Sequence, residues 1–503
     1  MKKAVKTVSF MVIATMLAKV MGMVRDMFFT NYYGTGIEGV AFLSATRIPL
    51  LFFDITLGAA ILSTFIPVFN RYLEKGDKKG AFDFSNSFIN LVVLISVVFC
   101  IIGVVFAKDL ANFIAPGIPD EAKVLATKLL IVLLPTTIFT SLAFAFVGIL
   151  QSFDEFNIPA IISLVSNLAV IIYLIFLNKT FGIFGVAVAM LIGWSLQFFV
   201  QIPSLIQKGY KYRFVLNLRN EGILDVFKLA IPILISSWLQ PICVMINTIF
   251  GSYLNGGQAV AGLEFANRLY IIIVGVFTFG ITNYIFPSLS KMSGGGNADG
   301  FKDVMSKSIK VMLLIIAPIM LGMMLLARPI IDVVYGRGEF GETSIMLTST
   351  ALFFYSIGMV SFGINEIINK CFYAMKDGKT PMIASVCGII TTLILAFTFT
   401  KLLGLGIGGL ALSASISAIV VSVMLIIAMT KKVGAIFDKQ MLIYIAKVAI
   451  ATLIMAIAVI TTIGLASNMG KYMQLILPTF AGIVFYLPIL WVLKIREIRE
   501  VIK

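Results

Sequence analysis

Several ionisable side chains sit inside runs that are otherwise apolar. Lys19, Arg25 and Asp26 fall in "LAKVMGMVRDMFF" (17–29), and Arg47 and Asp54 in the next apolar run. Glu264 and Arg268 share a later run, and Glu366 and Lys370 share another. An ionised group at the centre of a membrane helix costs at least about 2.5–3.5 kcal/mol on insertion scales, so such groups face one another, a bundle interior or water. A helix turns about 100° per residue. Lys19 and Asp26, seven apart, therefore share a face, with Gly22 between them and Arg25 one residue's turn away. Glu366 and Lys370 have the i,i+4 spacing, acid first, that suits a local pair.

The chemistry these residues offer is anion binding. Arginine forks match phosphate oxygens in pairs, and lysine acts as a point charge. Lys19, Arg25, Arg47 and Arg268 are the candidate binding residues, with Asp26, Asp54, Glu264, Asn267 and Glu366 in support or in ion coupling. A second reading stays open for Arg25 and Asp26, that they neutralise each other as a structural pair. The same applies to Glu366 and Lys370. The substrate expected is a lipid-linked anion carrying phosphate or carboxylate.

Other chemistries are disfavoured. There is no His, and Cys100, Cys243, Cys371 and Cys387 lack metal-ligand spacing, so neither a metal nor a cofactor is expected. "GLGIGGL" (404–410) is glycine-rich but has no following Lys-Ser/Thr, so it is not a nucleotide phosphate loop. The chain reads as a transporter rather than an enzyme. Its energy source would be the membrane potential or an ion gradient, with a monovalent ion as the coupling species.

Long apolar elements must position these groups. The 503 residues are 60% hydrophobic and 13% charged, against about 45–50% and about 25% in soluble domains. An all-α polytopic membrane protein follows. A span needs about 20 apolar residues, which gives about 14 helices. Their expected limits are 5–29, 38–70, 83–107, 121–151, 158–178, 182–207, 224–254, 258–290, 303–327, 343–373, 380–401, 406–430, 440–464 and 472–494. Pro49 and Gly58 are the expected breaks in the second. The basic segments "MKKAVK", "RYLEKGDKK", "QKGYKYRFVLNLR", "KMSGGGNADGFK", "KDGK", "KKVGAIFDK" and "KIREIREVIK" fall on one side if both termini are cytoplasmic. That bias accounts for much of the +15 net charge without a nucleic-acid partner.

The chain also repeats itself. "YYGTGIEGVAFLSATRIPLLFFDITLGAAILSTFIPVFNRY" from Tyr32 aligns with "SYLNGGQAVAGLEFANRLYIIIVGVFTFGITNYIFPSLSKM" from Ser252. Gly36 then faces Gly257, Arg47 faces Arg268, and Pro67 faces Pro287; further on, Pro159 pairs with Pro381. The near-constant offset predicts two pseudo-symmetric six-helix lobes, 1–220 and 221–435, entering the membrane in the same sense. Residues 436–503 would add a helix pair and a basic tail. A cationic cavity between the lobes is the expected substrate site.

A set of short motifs gives a resemblance. They are "GMVRD" in the first span, "FIPVF" closing the second, "NIPA" before the fifth, "NRL" and "FPSLSK" in the eighth, "YGRGEF" before the tenth and "FYAMKDGKTP" before the eleventh. Together and in this order, over about residues 8–390, the chain resembles the MurJ/MviN lipid II flippases of the MOP flippase superfamily. The resemblance implies translocation of undecaprenyl-pyrophosphate-linked peptidoglycan precursor across the bacterial cytoplasmic membrane by alternating access. It implies that Arg25, Asp26 and Arg268 occupy family cavity positions, that the C-terminal helix pair builds a groove for the lipid tail, and that cell-wall synthesis proteins are partners. The chain departs from the family pattern at three places. Lys19 stands where many members have Arg, and Phe53-Asp54 with Gly58-Ala59-Ala60 replaces an Arg-Arg then Glu-Gly-Ala pattern. Asn267 stands where Asp often precedes the Arg. Arg47 is placed to compensate. The alternatives are a MOP exporter of another polyprenyl-linked oligosaccharide, a cation-coupled drug efflux pump, and a non-transporting scaffold.

Overall fold

The computed structural model describes residues 2–55, 64–217, 219–294 and 298–495. Among these residues every regular element is a helix. Among the described residues nine helices are long and apolar enough to cross a membrane, and two bent pairs bring the number to eleven. Cα packing divides the chain into two compact units, Met1–Gln258 and Ala259–Lys503.

In the first unit the helix Lys2–Tyr33 packs along Asn157–Phe176, which forms a hairpin with Asn178–Phe199. The helix Ile37–Phe53 runs straight through Pro49, so the break expected there is absent. Membrane helices tolerate an internal proline because neighbouring groups re-satisfy the freed backbone. The helix instead widens into a π-type turn at Asp54 and Ile55; Gly58, the other expected break, lies outside the described residues. Past that gap, Ile66–Glu74 begins on Pro67. Its Phe69 joins Phe65, Phe84, Phe88 and Phe146 in an aromatic core, with Phe65 and Phe84 stacked at 5.2 Å. The helix Lys78–Val105 is capped by Asp77, whose carboxylate accepts from Gly80 N at 2.8 Å.

The span expected over 224–254 is broken. Glu221–Ser237 and Leu239–Gly251 meet at Trp238, whose indole N–H donates to Ile55 O at 2.9 Å. The span expected over 121–151 is also two helices, Asp120–Leu133 and Thr136–Ser152, bent by 40°. Pro135 lies at the bend. Thr136, Thr137, Thr140 and Ser141 each donate a hydroxyl to a carbonyl three or four residues back, a pattern that bends helices.

The second unit repeats this local series. A long helix, Ala298–Leu325, leads to a short one, Ala327–Tyr335, and then to a pair, Glu342–Ser356 and Met359–Ala374, bent by 49°. The first unit has Lys78–Val105, Ala107–Ile114 and its own bent pair in the same order. At the second bend, Gly358 admits a neighbour: a Cβ there would lie 3.0 Å from Ser415. Ser415 Oγ donates to Phe354 O at 2.6 Å and Tyr355 O at 3.2 Å, carbonyls that the bend releases from the helix ladder.

The final helices, Lys439–Ala466 and Lys471–Val492, form a hairpin. It docks on Ala298–Leu325 through Tyr444, which donates to Lys310 O at 2.9 Å, and Tyr486, which donates to Leu314 O at 2.8 Å. The basic tail from 496 onward lies outside the described residues.

Candidate functional site

The expected charged residues fall into groups within each unit. In the first unit, Arg25 sits in the C-terminal third of Lys2–Tyr33, facing Asn157–Phe176. Its Nε and Nη2 donate to Asp26 Oδ1 at 3.1 and 2.8 Å, and its Nη1 donates to Asn167 Oδ1 at 3.0 Å. Asn167 is itself fixed, because its amide donates to Ser163 O at 2.9 Å and Ala18 O at 3.3 Å. A guanidinium has five N–H donors; three are used here, and two remain for an anion. Asn167 is not recognisable from the sequence as a site residue. Its only signal is one carboxamide in the apolar run "ISLVSNLAVIIY".

The pairing is asymmetric. Asp26 is the buried member, with 5% of its side chain exposed, while Arg25 keeps 24%. Gly22 keeps the helix thin beside the pair, and a Cβ there would stand 3.7 Å from the Asn167 amide. Lys19 is half-buried one turn before Gly22. Arg47 and Asp54 lie seven apart on the next helix and on its π-type turn, close enough for their charges to interact.

In the second unit the helix Gln258–Gly294 carries Glu264 and Arg268 one turn apart. Arg268 Nε donates to Glu264 Oε1 at 3.0 Å. Here too the acid is the more buried member, 12% exposed against 24% for Arg268. The guanidinium lies 6.0 Å from the Phe265 ring centroid, within cation–π reach. Phe265 is held in turn between Tyr335 and Phe340, at 5.3 and 5.9 Å. Asn267 is buried beside them.

Glu366 and Lys370 share the helix Met359–Ala374, but among the described residues no ion pair joins them. Lys370 Nζ lies instead 5.5 Å from the Phe286 ring. Asn365, on the same helix, is committed to structure: its amide donates to Ala418 O at 3.0 Å and its Oδ1 accepts from Ser422 Oγ at 2.7 Å. No group of three or more His, Cys, Asp or Glu able to hold a metal occurs among the described residues.

Such an arrangement can receive an anion. Each unit places an arginine inside a long apolar helix, sets its charge against a more buried carboxylate, and leaves about a quarter of the arginine side chain accessible.

Comparison with known proteins agrees with the motifs. The model of the family described as "Lipid II flippase MurJ" matches residues 29–480. The chain is 27% identical over 478 residues to the "Probable lipid II flippase MurJ" of Buchnera aphidicola subsp. Acyrthosiphon pisum (strain APS), covering 93% of this chain and 92% of that one. It is 28% identical over 410 residues to the "Lipid II flippase MurJ" of Thermosipho africanus (strain TCF52B), covering 81% and 82%. A solved "Lipid II flippase MurJ, inward closed conformation" superposes with a TM-score of 0.83 at 26% identity, over 98% of this chain and 99% of that one. An inward-facing multidrug resistance transporter of the MATE family and MOP superfamily gives 0.71 at 18% identity, over 83% and 95%, a likeness of fold. The chain belongs to the MurJ lipid II flippase family.

Proposed function

We propose that this member of the family is a lipid II flippase of the bacterial cytoplasmic membrane, with both termini on the cytoplasmic side. It moves the undecaprenyl-pyrophosphate-linked peptidoglycan precursor by alternating access. The observation that carries the reading is the pair of half-open arginines. Arg25 and Arg268 each retain 24% of their side-chain surface while the partner acid is buried more deeply. Anchoring from behind keeps each guanidinium in place at a depth where a free cation would be expelled. The two remaining donors of Arg25 then face whatever anion enters, and pyrophosphate oxygens match that fork.

In this reading Lys19, Arg25, Arg47 and Arg268 receive the headgroup, and Asp26 and Glu264 hold the arginines. The polyprenyl tail stays in lipid, with the helix pair Lys439–Ala466 and Lys471–Val492 offering it a groove. Headgroup binding favours one conformation of the two repeat lobes, and the membrane potential or a monovalent ion resets it. Asp54, Glu264 and Glu366 are the candidate coupling residues. The chain has no catalytic role, and cell-wall synthesis proteins are its proposed partners.

The test is growth of cells depleted of their own flippase and supplied with Arg25→Ala or Arg268→Ala. Both variants should fail at protein levels equal to the parent. Growth supported by both at those levels would refute the cationic mechanism. Arg25→Lys guards against a folding artefact, because it keeps the charge but not the fork and should support growth only weakly.

A second reading rests on Phe53 and Asp54 standing where the family pattern has an Arg pair, and on Asn267. With fewer cations the preferred headgroup would be that of another polyprenyl-linked oligosaccharide. Competition between headgroups for the purified protein separates the two, and lipid II should win under the first.

A further inference from the structure

Beyond the helix Ile202–Gln207 the chain runs through 210–217 without regular secondary structure. Two amides one turn apart on Lys78–Val105 stitch it down. Tyr210 and Tyr212 donate their hydroxyls to Asn86 Oδ1 and Asn90 Oδ1, each at 2.6 Å. In return Asn86 Nδ2 donates to Lys211 O at 3.3 Å, and Asn90 Nδ2 donates to Val215 O at 2.9 Å. The clamp uses tyrosine hydroxyls and main-chain carbonyls, so the side chains of Lys211 and Arg213 are left exposed. Neither forms an ion pair among the described residues. Residues 208–219 hold four cations, Lys208, Lys211, Arg213 and Arg219, and no acid. Next to them Phe214 is 82% exposed.

Alongside this segment is an apolar groove of about 530 Å³. Val93, Leu142, Phe198, Ile206, Tyr210 and Tyr212 are among its walls. The groove opens on two membrane-spanning helices, Lys78–Val105 and Asn178–Gln207, so the medium beside it is hydrocarbon. Tyrosines with an apolar body and a hydrogen-bonded tip mark the level of the headgroups, and clustered Lys and Arg beside a span attract anionic lipid.

We propose that this groove and the exposed cations of the segment bordering it, Lys211 and Arg213, form a binding site for one anionic phospholipid. Its phosphate sits at Lys211 and Arg213, and the upper part of one acyl chain fills the groove. Charge complementarity selects the occupant: a zwitterionic lipid fits the groove equally well and brings the same phosphate, but its choline returns a positive charge beside Lys211 and Arg213. The site lies wholly within the first unit and uses none of the residues assigned to the transported headgroup.

Native mass spectrometry of the purified full-length protein tests it, with phosphatidylglycerol and phosphatidylcholine of identical acyl chains. The parent should retain phosphatidylglycerol preferentially. Lys211→Gln with Arg213→Gln should cut that preference by about fivefold per cation, with phosphatidylcholine retention unchanged. Ile206→Trp, at a residue 65% exposed and therefore tolerant of bulk, should lower retention of both lipids by filling the groove. Glycerol phosphate should not displace the lipid. An undiminished preference in the double variant, or displacement by glycerol phosphate, overturns the proposal. Lipid II transport measured on the same variants is a separate readout, so failure here leaves the flippase reading standing and the reverse also holds.

Discussion

Arg25 shows how one side chain can be both buried and available. Asp26 supplies its counter-charge and Asn167 fixes its direction, with contacts of 2.8 and 3.0 Å. A hydrogen bond to a charged group contributes about 1.5–3 kcal/mol. Asn167→Ala should therefore leave the protein folded but release Arg25 to swing toward Asp26, weakening lipid II binding by roughly tenfold or more. Asn167→Asp should weaken it further, because a second carboxylate cancels the cation. Binding titrations on purified variants check this, and parental affinity in both would mean that Asn167 does not position Arg25. At this scale the sequence was legible where partners are close along the chain. Glu264 and Arg268 form the i,i+4 bond that their spacing allows. Asn167 was not legible, because it meets Arg25 across 142 residues and only packing creates that neighbourhood. Glu366 and Lys370 show the limit of spacing, since their charges are near each other but, among the described residues, no ion pair joins them, and the Lys370 ammonium lies 5.5 Å from the Phe286 ring.

Helices and their joints obey a mixture of local and tertiary rules. The apolar runs were legible because about 20 residues of hydrocarbon-compatible sequence have few other uses. Their interruptions were less so. Pro49 suggested a break and the helix passes through it, whereas Trp238 interrupts a run that reads as continuous. The bend at Ile357 and Gly358 depends on another helix, which supplies Ser415 to the released carbonyls. Gly358→Val should force Ser415 away and cost about 1–3 kcal/mol, seen as a lower unfolding temperature of the purified protein. An unchanged unfolding temperature would mean that the two helices part freely at this point.

The joint that follows Met359–Ala374 carries a pH dependence. Asp377, outside the spans, is partly desolvated, which by itself would raise its pKa. Hydrogen bonds from Lys432 and Thr380 outweigh that effect and hold the carboxyl at about 2, below its ordinary 3.8. A depressed folded-state value stabilises above the unfolded value and loses that stabilisation as pH falls through the folded one. The joint should therefore loosen between about pH 4 and pH 2. Asp377→Asn should be looser at neutral pH and less sensitive to acid over that window. Hydrogen exchange at 375–380 measures both, and identical acid profiles for variant and parent would contradict the assignment.

For the molecule as a whole, the offset that pairs Arg47 with Arg268 is a sequence argument for duplication. The local series of long helix, short helix and bent pair recurs in both compact units. Which cations meet the substrate could not be read from either half alone, because the headgroup would select them by its shape. The most direct measurement is the accessibility of lipid II at the outer face of cells that rely on this protein alone. Parent cells should expose lipid II. Cells carrying Arg25→Ala with Arg268→Ala, at equal protein level, should retain it on the inner face. Undiminished exposure in those cells would contradict transport by the two half-open arginines.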